Sequence, residues 1–390
     1  MFIPRAAEAV LLKYAEGYPI VAVTGPRQSG KTTLVQRVFA EKPYVTLEDP
    51  DRRELAEQDP RGFLASYPDG AVLDEAQRCP ALFSYLQGIV DRERRMGLFV
   101  LTGSSQFGLL SGITQSLAGR VALVTLLPLS LGELTAAGRA PGKLDELLFA
   151  GSYPVLYDRP LDPGPWYANY VQTYLERDVR SLVNVRELSA FQRFLRLCAG
   201  RTGQLLNLSS LASDCGITHN TARSWLSVLE ASYLVHLLPP HHRNFNKRLI
   251  KTPKLYFLDA GLTAWLLGIQ AREQLAGHPL RGALFETWVV SELLKARFER
   301  GLPSNLYFWR DRTGHEVDLV IDRGLDLVPV EVKAGRTVAS DFFSGLRFWT
   351  ALAGAQAGEA WLVYGGDEEQ LRSEARVLPW RKIFSLGKVV

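Results

Sequence analysis

The sequence predicts an α/β protein of several domains, and three observations carry that expectation. An apolar strand ending at Thr24 runs into Gly25-Pro26-Arg27-Gln28-Ser29-Gly30-Lys31-Thr32 and then into a helix-periodic stretch from Thr33, so strand and helix alternate from the start. The last third follows an amphipathic helical segment, Gly282–Lys295, with short apolar strands at Tyr307–Arg310, Glu316–Ile321 and Leu327–Lys333. The length, 390 residues, exceeds one ordinary domain and suggests two to four at roughly 150 residues each. With 47% hydrophobic and 22% charged residues, the composition excludes disordered, collagen-like and coiled-coil chains. The expected division is 1–150, 151–202, 203–268 and 269–390.

The first element matches G-x-x-x-x-G-K-[ST] between a strand and a helix. Glycines at 25 and 30 let the backbone curl so that its N–H groups face phosphate oxygens, and the helix that follows adds its N-terminal dipole. The residues Gly25 to Thr33 are therefore expected to bind nucleotide, with Lys31 reaching the β- and γ-phosphates and Thr32 on Mg²⁺. ATP and Mg²⁺ are the expected cofactors. Next, Gly70-Ala-Val-Leu-Asp74-Glu75 is an apolar strand ending in two acids. Asp74 would complete the Mg²⁺ shell and Glu75 would orient the attacking water. A third strand, Leu98–Gly103, leads to Ser104, the first choice for a polar contact to the γ-phosphate, with Thr102 the second. Arg120, Arg177 and Arg180 are candidates for a positive charge donated to a neighbouring copy. A surface salt bridge is the alternative for each.

The middle reads as helical. Pro165–Val183 has Trp166, Tyr170, Tyr174 and Leu175 on one face, and Glu187–Ala199 is amphipathic and closed by Gly200. After it come a short helix from Leu206, a turn at Gly216 and a second helix N-capped by Thr218. Ile217, Ala222, Leu226 and Leu229 face inward. His219, Asn220 and Arg223 face outward near the start, where a recognition helix presents side chains to a DNA groove. A strand over Tyr233–Leu238 and Pro239-Pro240 complete a winged-helix pattern.

Charge is segregated here. The whole chain carries only +4, from 45 Lys and Arg against 41 Asp and Glu. Yet His236–Lys254 holds Arg243, Lys247, Arg248, Lys251 and Lys254, three of the six histidines and no acid. Such a stretch suits phosphate contacts to DNA. The alternatives are a basic loop that pairs with acids of another domain, and a helix-turn-helix used only for packing.

In the last third, strand alternation puts Glu331 and Lys333 on one face of Leu327–Lys333. Two like-facing charges on an apolar strand are costly to bury unless paired or metal-bound. Asp318 on the preceding strand and Glu286 on the helix complete a set that can hold Mg²⁺ by hard oxygen ligands, with Lys333 polarising a phosphate. A structural charge cluster is the alternative. The order helix Glu, strand Asp, Glu-x-Lys resembles the PD-(D/E)xK nuclease superfamily with its restriction-endonuclease-like fold.

The whole chain resembles the bacterial and archaeal ATPases that join an AAA+ domain to a DUF4143 domain. The likeness rests on Thr24-Gly-Pro-Arg-Gln-Ser-Gly-Lys-Thr-Thr, Asp74-Glu-Ala-Gln-Arg, Leu101-Thr-Gly-Ser-Ser, Ser116-Leu-Ala-Gly-Arg, Tyr174-Leu-Glu-Arg-Asp-Val, Thr252-Pro-Lys-Leu-Tyr-Phe-Leu-Asp-Ala-Gly, Phe285-Glu and Glu316-Val-Asp-Leu. It implies a P-loop AAA+ ATPase domain with helical lid, a winged-helix domain and a C-terminal α/β restriction-endonuclease-like domain, with a homo-oligomer, a hexameric ring on duplex or branched DNA, as the expected assembly. Three functions follow as expectations: an ATP-driven DNA translocase or branch-migration motor, a Mg²⁺-dependent nuclease gated by the ATPase, and a regulatory ATPase with a protein partner. Three scattered cysteines without metal-ligand spacing suit a reducing cytoplasm. Lys13 and Glu16 interrupt any secretory pattern at the N-terminus. The longest apolar run, Val121–Leu131, falls short of the ~20 residues of a membrane span.

Overall fold

The computed structural model describes residues 3–103, 113–175, 188–241 and 250–390. The chain forms two compact units: Met1–Leu129 with Ala231–Tyr233 and Phe298–Leu302, and Ser130–Glu230 with Leu234–Arg297 and Pro303–Val390.

The first unit is built on a parallel sheet of β1 (Ile20–Thr24), β2 (Tyr44–Thr46), β3 (Val72–Asp74), β4 (Phe99–Gly103) and β5 (Val121–Thr125) in the order β2-β3-β4-β1-β5. Every residue of β1, β3 and β4 is buried, as parallel strands covered on both faces require. Alternation divides β1 between two cores. Val21 and Val23 join Leu11, Leu34 and Val35 on one face. Ile20 and Ala22 join Phe63, Phe83 and Leu86 on the other. Because β4 lies between β1 and β3, the loop after β1 and the acids after β3 open at the same sheet edge, with the end of β4 between them.

The second unit contains two sheets. Helices Leu188–Ala199, Leu208–Cys215 and His219–Ala231 accompany an antiparallel sheet of β6 (Gln204–Leu205), β7 (Val235–Leu238) and β8 (Lys254–Phe257), ordered β6-β8-β7. This is the expected winged-helix arrangement. Asn207 caps the Leu208–Cys215 helix by accepting from the Ser210 N–H at 2.9 Å, and Thr218 accepts from the Thr221 N–H at 3.1 Å. Phe191, Phe194, Trp225, Leu226 and Leu229 form its core. The expected strand over Tyr233–Leu238 begins only at Val235, because Tyr233 adopts φ +55°. Of the helix expected over Pro165–Val183, the described part runs from Pro163 to Tyr170 and widens over Val171–Leu175, and 176–183 lie outside the described residues.

The other sheet comprises β9 (Leu306–Arg310), β10 (Glu316–Asp322), β11 (Leu327–Lys333), β12 (Trp361–Tyr364), β13 (Gln370–Leu371) and β14 (Arg376–Pro379), ordered β13-β14-β12-β11-β10-β9. An antiparallel meander, β9-β10-β11, passes into a parallel set, β11-β12-β14. Helix Ser344–Ala353 covers it through Leu346 and Trp349 against Trp309, Val317, Val320 and Leu362.

Gly70 shows how tightly the first unit is closed. It turns into β3 at φ +82°, and an added Cβ would fall on the Leu98 carbonyl. Gly70→Ala meets both the backbone penalty and this clash. It should lower the unfolding free energy by about 3 kcal/mol, read as a lower urea midpoint.

Candidate functional site

The loop after β1 curls through three left-handed residues, Gly25 (φ +144°), Gln28 (φ +60°) and Gly30 (φ +93°). Gly25 is confined as well as curled, since a Cβ there would meet the Leu126 carbonyl. Helix Lys31–Val38 starts directly at Gly30. The Lys31 ammonium is buried within the loop and donates to the carbonyls of Gly25 at 3.0 Å and Pro26 at 2.8 Å. Ser29 is fully buried, whereas Gln28 and Thr33 are exposed. Arg5, absent from the expected set, is buried and donates to the carbonyls of Ser29 and Leu127, both at 2.6 Å. It ties the loop backbone to the segment after β5, and its distance along the chain leaves no sequence signal.

Asp74, at the end of β3, gathers three hydroxyls. Thr32 donates at 3.2 Å, Tyr44 at 2.6 Å, and Thr102 through a short bond. Burial, with the Asp74 carboxylate beside it, pushes the Tyr44 phenol well above its ordinary value. Thr102 in turn accepts the Glu75 N–H at 3.3 Å. Glu75 adopts φ +55°, and its carboxylate receives the Gln77 amide. Of the two candidates at the end of β4, Thr102 is therefore in the site. Ser104 lies outside the described residues, as do Arg177, Arg180, Arg243, Lys247 and Arg248. Arg120 forms a forked pair with Asp91, at 2.5 and 2.9 Å, on the surface. The salt-bridge alternative is the one observed.

The carboxylate–lysine set of the second unit does converge, with an unexpected member. Lys254 had been grouped with the basic stretch, but it is buried, 3.1 Å from Glu286 and 2.5 Å from Glu316. Strand alternation explains the correction: Lys254 and Tyr256 project to one side of β8, while Leu255 and Phe257 fill the helical core. Burial opposes the Lys254 charge, yet Glu286, Tyr256, Asp318 and Glu316 hold its pKa well above the ordinary lysine value. The Tyr256 hydroxyl also donates to Glu286, and Arg310 pairs with Glu316 at 3.0 Å. Lys333 lies 2.5 Å from Glu331 and 3.7 Å from Asp318, which accepts the Val332 N–H at 2.9 Å. Burial and the nearby Asp318 push the Glu331 carboxyl up to about 8, against the pull of Lys333.

Among the described residues no three His, Cys, Asp or Glu side chains have metal-holding geometry. Glu286, Asp318 and Glu331, expected as metal ligands, stand here in an ion-pair cluster with Lys254 and Lys333.

On the helix-turn-helix, His219, Asn220 and Arg223 are exposed, as is Lys251. His236 and His241, also grouped with the basic stretch, are not surface cations. Burial pushes His236 down to about 4, and its Nε2 is enclosed without a partner. His241 is buried against Asp322 at 3.2 Å. His241 and Ile250, the described residues on either side of 242–249, donate backbone N–H groups to the β9 carbonyls of Phe308 at 2.7 Å and Arg310 at 3.1 Å. All three cysteines are buried and free. Among the described residues no helix is long and apolar enough to cross a membrane.

A glycine-curled phosphate loop on a parallel sheet, with an acid pair at the adjoining edge, makes the first unit an ATPase of the P-loop class. Residues 17–135 match the AAA domain AAA_14, residues 141–273 the domain of unknown function DUF8612, and residues 281–383 the domain of unknown function DUF4143. Two uncharacterized proteins, from Mycobacterium bovis and Mycobacterium tuberculosis, are each 32% identical to it over 391 residues, covering 99% of this chain and 85% of theirs. The chain belongs to the AAA-type ATPase family that joins an AAA_14 domain to a DUF4143 domain.

Among solved structures it is similar to the Walker-type ATPase of Pyrococcus abyssi, with TM-score 0.46 and 15% identity over 68% of this chain and 96% of that one. It is also similar to the ORC2 protein of Aeropyrum pernix in its ADP form, with TM-score 0.34 and 17% identity over 61% and 87% of the two chains.

Two outcomes test these placements. Lys254→Ala leaves Glu286 and Glu316 without their buried cation and should destabilise the protein by about 3–5 kcal/mol. The exposed Lys251→Ala should stay within about 0.5 kcal/mol, both read by urea denaturation. For His236 the folded pKa is below the unfolded one, so the unfolded chain binds the proton first. Its contribution is present above about pH 6.5 and is lost as pH falls through about 4. His236→Leu should therefore remove roughly 2–3 kcal/mol of the acid-induced loss between these values, seen by comparing urea midpoints of the two proteins at pH 4.5 and 7.

Proposed function

We propose that this ATPase works on DNA, using ATP turnover to move along or remodel a duplex or branched substrate. The observation that carries the reading is the exposed start of the second helix in the helix-turn-helix, where His219, Asn220 and Arg223 face outward. A groove-reading helix presents its residues from this position. The charged neighbours Arg243, Lys247, Arg248 and Lys251 add a sequence-level basic stretch suited to phosphate contacts. In the ATPase site, the loop N–H groups and Lys31 bind the phosphates. Thr32 and Asp74, hydroxyl and carboxylate within hydrogen-bond reach, would hold Mg²⁺ together with phosphate oxygens. The ion would neutralise charge on the transferring group. Glu75, held at its backbone by Thr102, orients the attacking water. Cutting of DNA is a separate reading, carried by the convergence of Asp318, Glu331 and Lys333, and loss of Mg²⁺-dependent cleavage in Lys333→Ala would be its test.

The test is fluorescence anisotropy on duplex, forked and four-way junction DNA across salt. For about four phosphate contacts, affinity should fall roughly a hundredfold between 50 and 200 mM salt. The combined Arg223→Ala, Lys247→Ala, Arg248→Ala variant should bind at least about tenfold more weakly. Absent or salt-independent binding would overturn the reading and favour a protein partner. In the same preparations, Glu75→Gln should retain ATP and lose turnover, and unchanged hydrolysis would remove Glu75 from its role.

A further inference from the structure

Ala231–Tyr233 belong to the first unit although they continue the helix that opens with His219 and carries Asn220 and Arg223. Tyr233 adopts φ +55°, an unfavourable conformation for an aromatic residue. Its hydroxyl lies 2.8 Å from Thr24 Oγ1, and Thr24 Oγ1 lies 3.4 Å from Thr125 Oγ1. Thr24 and Thr125 are partners in the register of β1 and β5, at the C-terminal ends of both strands. Thr24 is buried, and the next residue is Gly25, where the phosphate loop departs from β1. The phenol thus bridges the two strand ends beside the loop entry, and only two covalent steps separate it from the end of the helix at Ala231. The left-handed turn at Tyr233 closes the helix, with the Leu234 N–H donating to the Leu229 carbonyl at 3.0 Å. The closure leaves the Tyr233 side chain free to bond the nucleotide-binding strand.

We infer that Tyr233 is a positioning residue that couples the phosphate loop to the helix His219–Ala231. Nucleotide on the loop fixes Thr24, Thr24 fixes Tyr233, and Tyr233 restrains the end of the helix. By reciprocity, an occupant of the exposed helix face changes the affinity for nucleotide by the same factor. The inference rests on the DNA-binding reading only for the identity of that occupant.

The experiment is amide hydrogen exchange of the full chain, alone and at saturating β,γ-methylene ATP with Mg²⁺, followed over residues 219–233. It contains no DNA, so failure of the DNA reading and failure of this one are distinguishable. In the wild type, nucleotide should slow exchange across the helix at least about fivefold. Tyr233→Phe, which keeps the ring and removes the hydroxyl, should abolish that slowing. Thr24→Val should do the same from the other end of the bond, and Thr24→Ser, which keeps a hydroxyl, should preserve it. The Thr24 pair decides the matter should Tyr233→Phe fold poorly. No nucleotide effect in the wild type overturns the coupling, as does an equal effect in Tyr233→Phe or Thr24→Val.

Discussion

The carboxylate of Asp74 is where the separate pieces of the nucleotide site meet. Its donors come from three elements distant in sequence: Thr32 from the helix after the loop, Tyr44 from β2 and Thr102 from β4. A buried carboxylate without donors is costly, so the strands that bring these hydroxyls must end level with one another. That constraint fixes more than Asp74. Because Thr102 also accepts the Glu75 N–H, the backbone that aims Glu75 is set by the same hydroxyl. The Glu75 backbone is therefore positioned by the same hydroxyl that bonds its neighbour's carboxylate.

How much of this was legible in the sequence depends on how local each requirement is. The phosphate loop was legible because its glycines, lysine and threonine fall within eight consecutive positions, and the geometry they serve is built by those residues alone. The acid pair was legible for the same reason, at the end of an apolar strand. Arg5, Tyr44 and Tyr233 were not, since each reaches the site through chain topology. Tyr233 was expected in a strand, but it closes the preceding helix, and neither glycine nor asparagine marks that place in the sequence. Lys254 was misread for another reason. Counting charge along the chain ignores the alternation of β8, which sends Lys254 and Tyr256 one way and Leu255 and Phe257 the other. Within the second unit, the winged-helix elements and the Glu-x-Lys strand were legible from periodicity. The cation that joins Glu286 to Glu316 was not.

That cation changes what the acidic cluster means. Four carboxyls, Glu286, Glu316, Asp318 and Glu331, face Lys254, Lys333 and Arg310. Burial raises both Glu286 and Glu331, against the pull of Lys254 on the first and of Lys333 on the second. Removing a partner from such a set is far more costly than never burying the set at all. The cluster consequently joins β8, the helix Arg281–Phe298 and the meander β9-β10-β11 through shared ion pairs. Spacing alone could not show these pairs, because the lysine that joins Glu286 to Glu316 comes from a strand outside the motif.

Strain shows where the first unit is poised to respond. Among the described residues, Gln28, Glu75, Arg94 and Tyr233 are the non-glycine positions with positive φ. Gln28 lies in the phosphate loop itself, Glu75 follows the strand that ends in Asp74, and Tyr233 touches the strand that feeds the loop. Each left-handed residue costs on the order of 1 kcal/mol, a cost that ordinary loops avoid with glycine. At Glu75 the strained backbone is retained by the Thr102 hydroxyl and the Gln77 amide, whereas Tyr233 closes its helix through the Leu234 N–H on the Leu229 carbonyl. Bonds of this kind are worth about as much as the strain they oppose, so the backbone at Glu75 rests on Thr102 and Gln77 as much as on its own preference, whereas a glycine there would need neither.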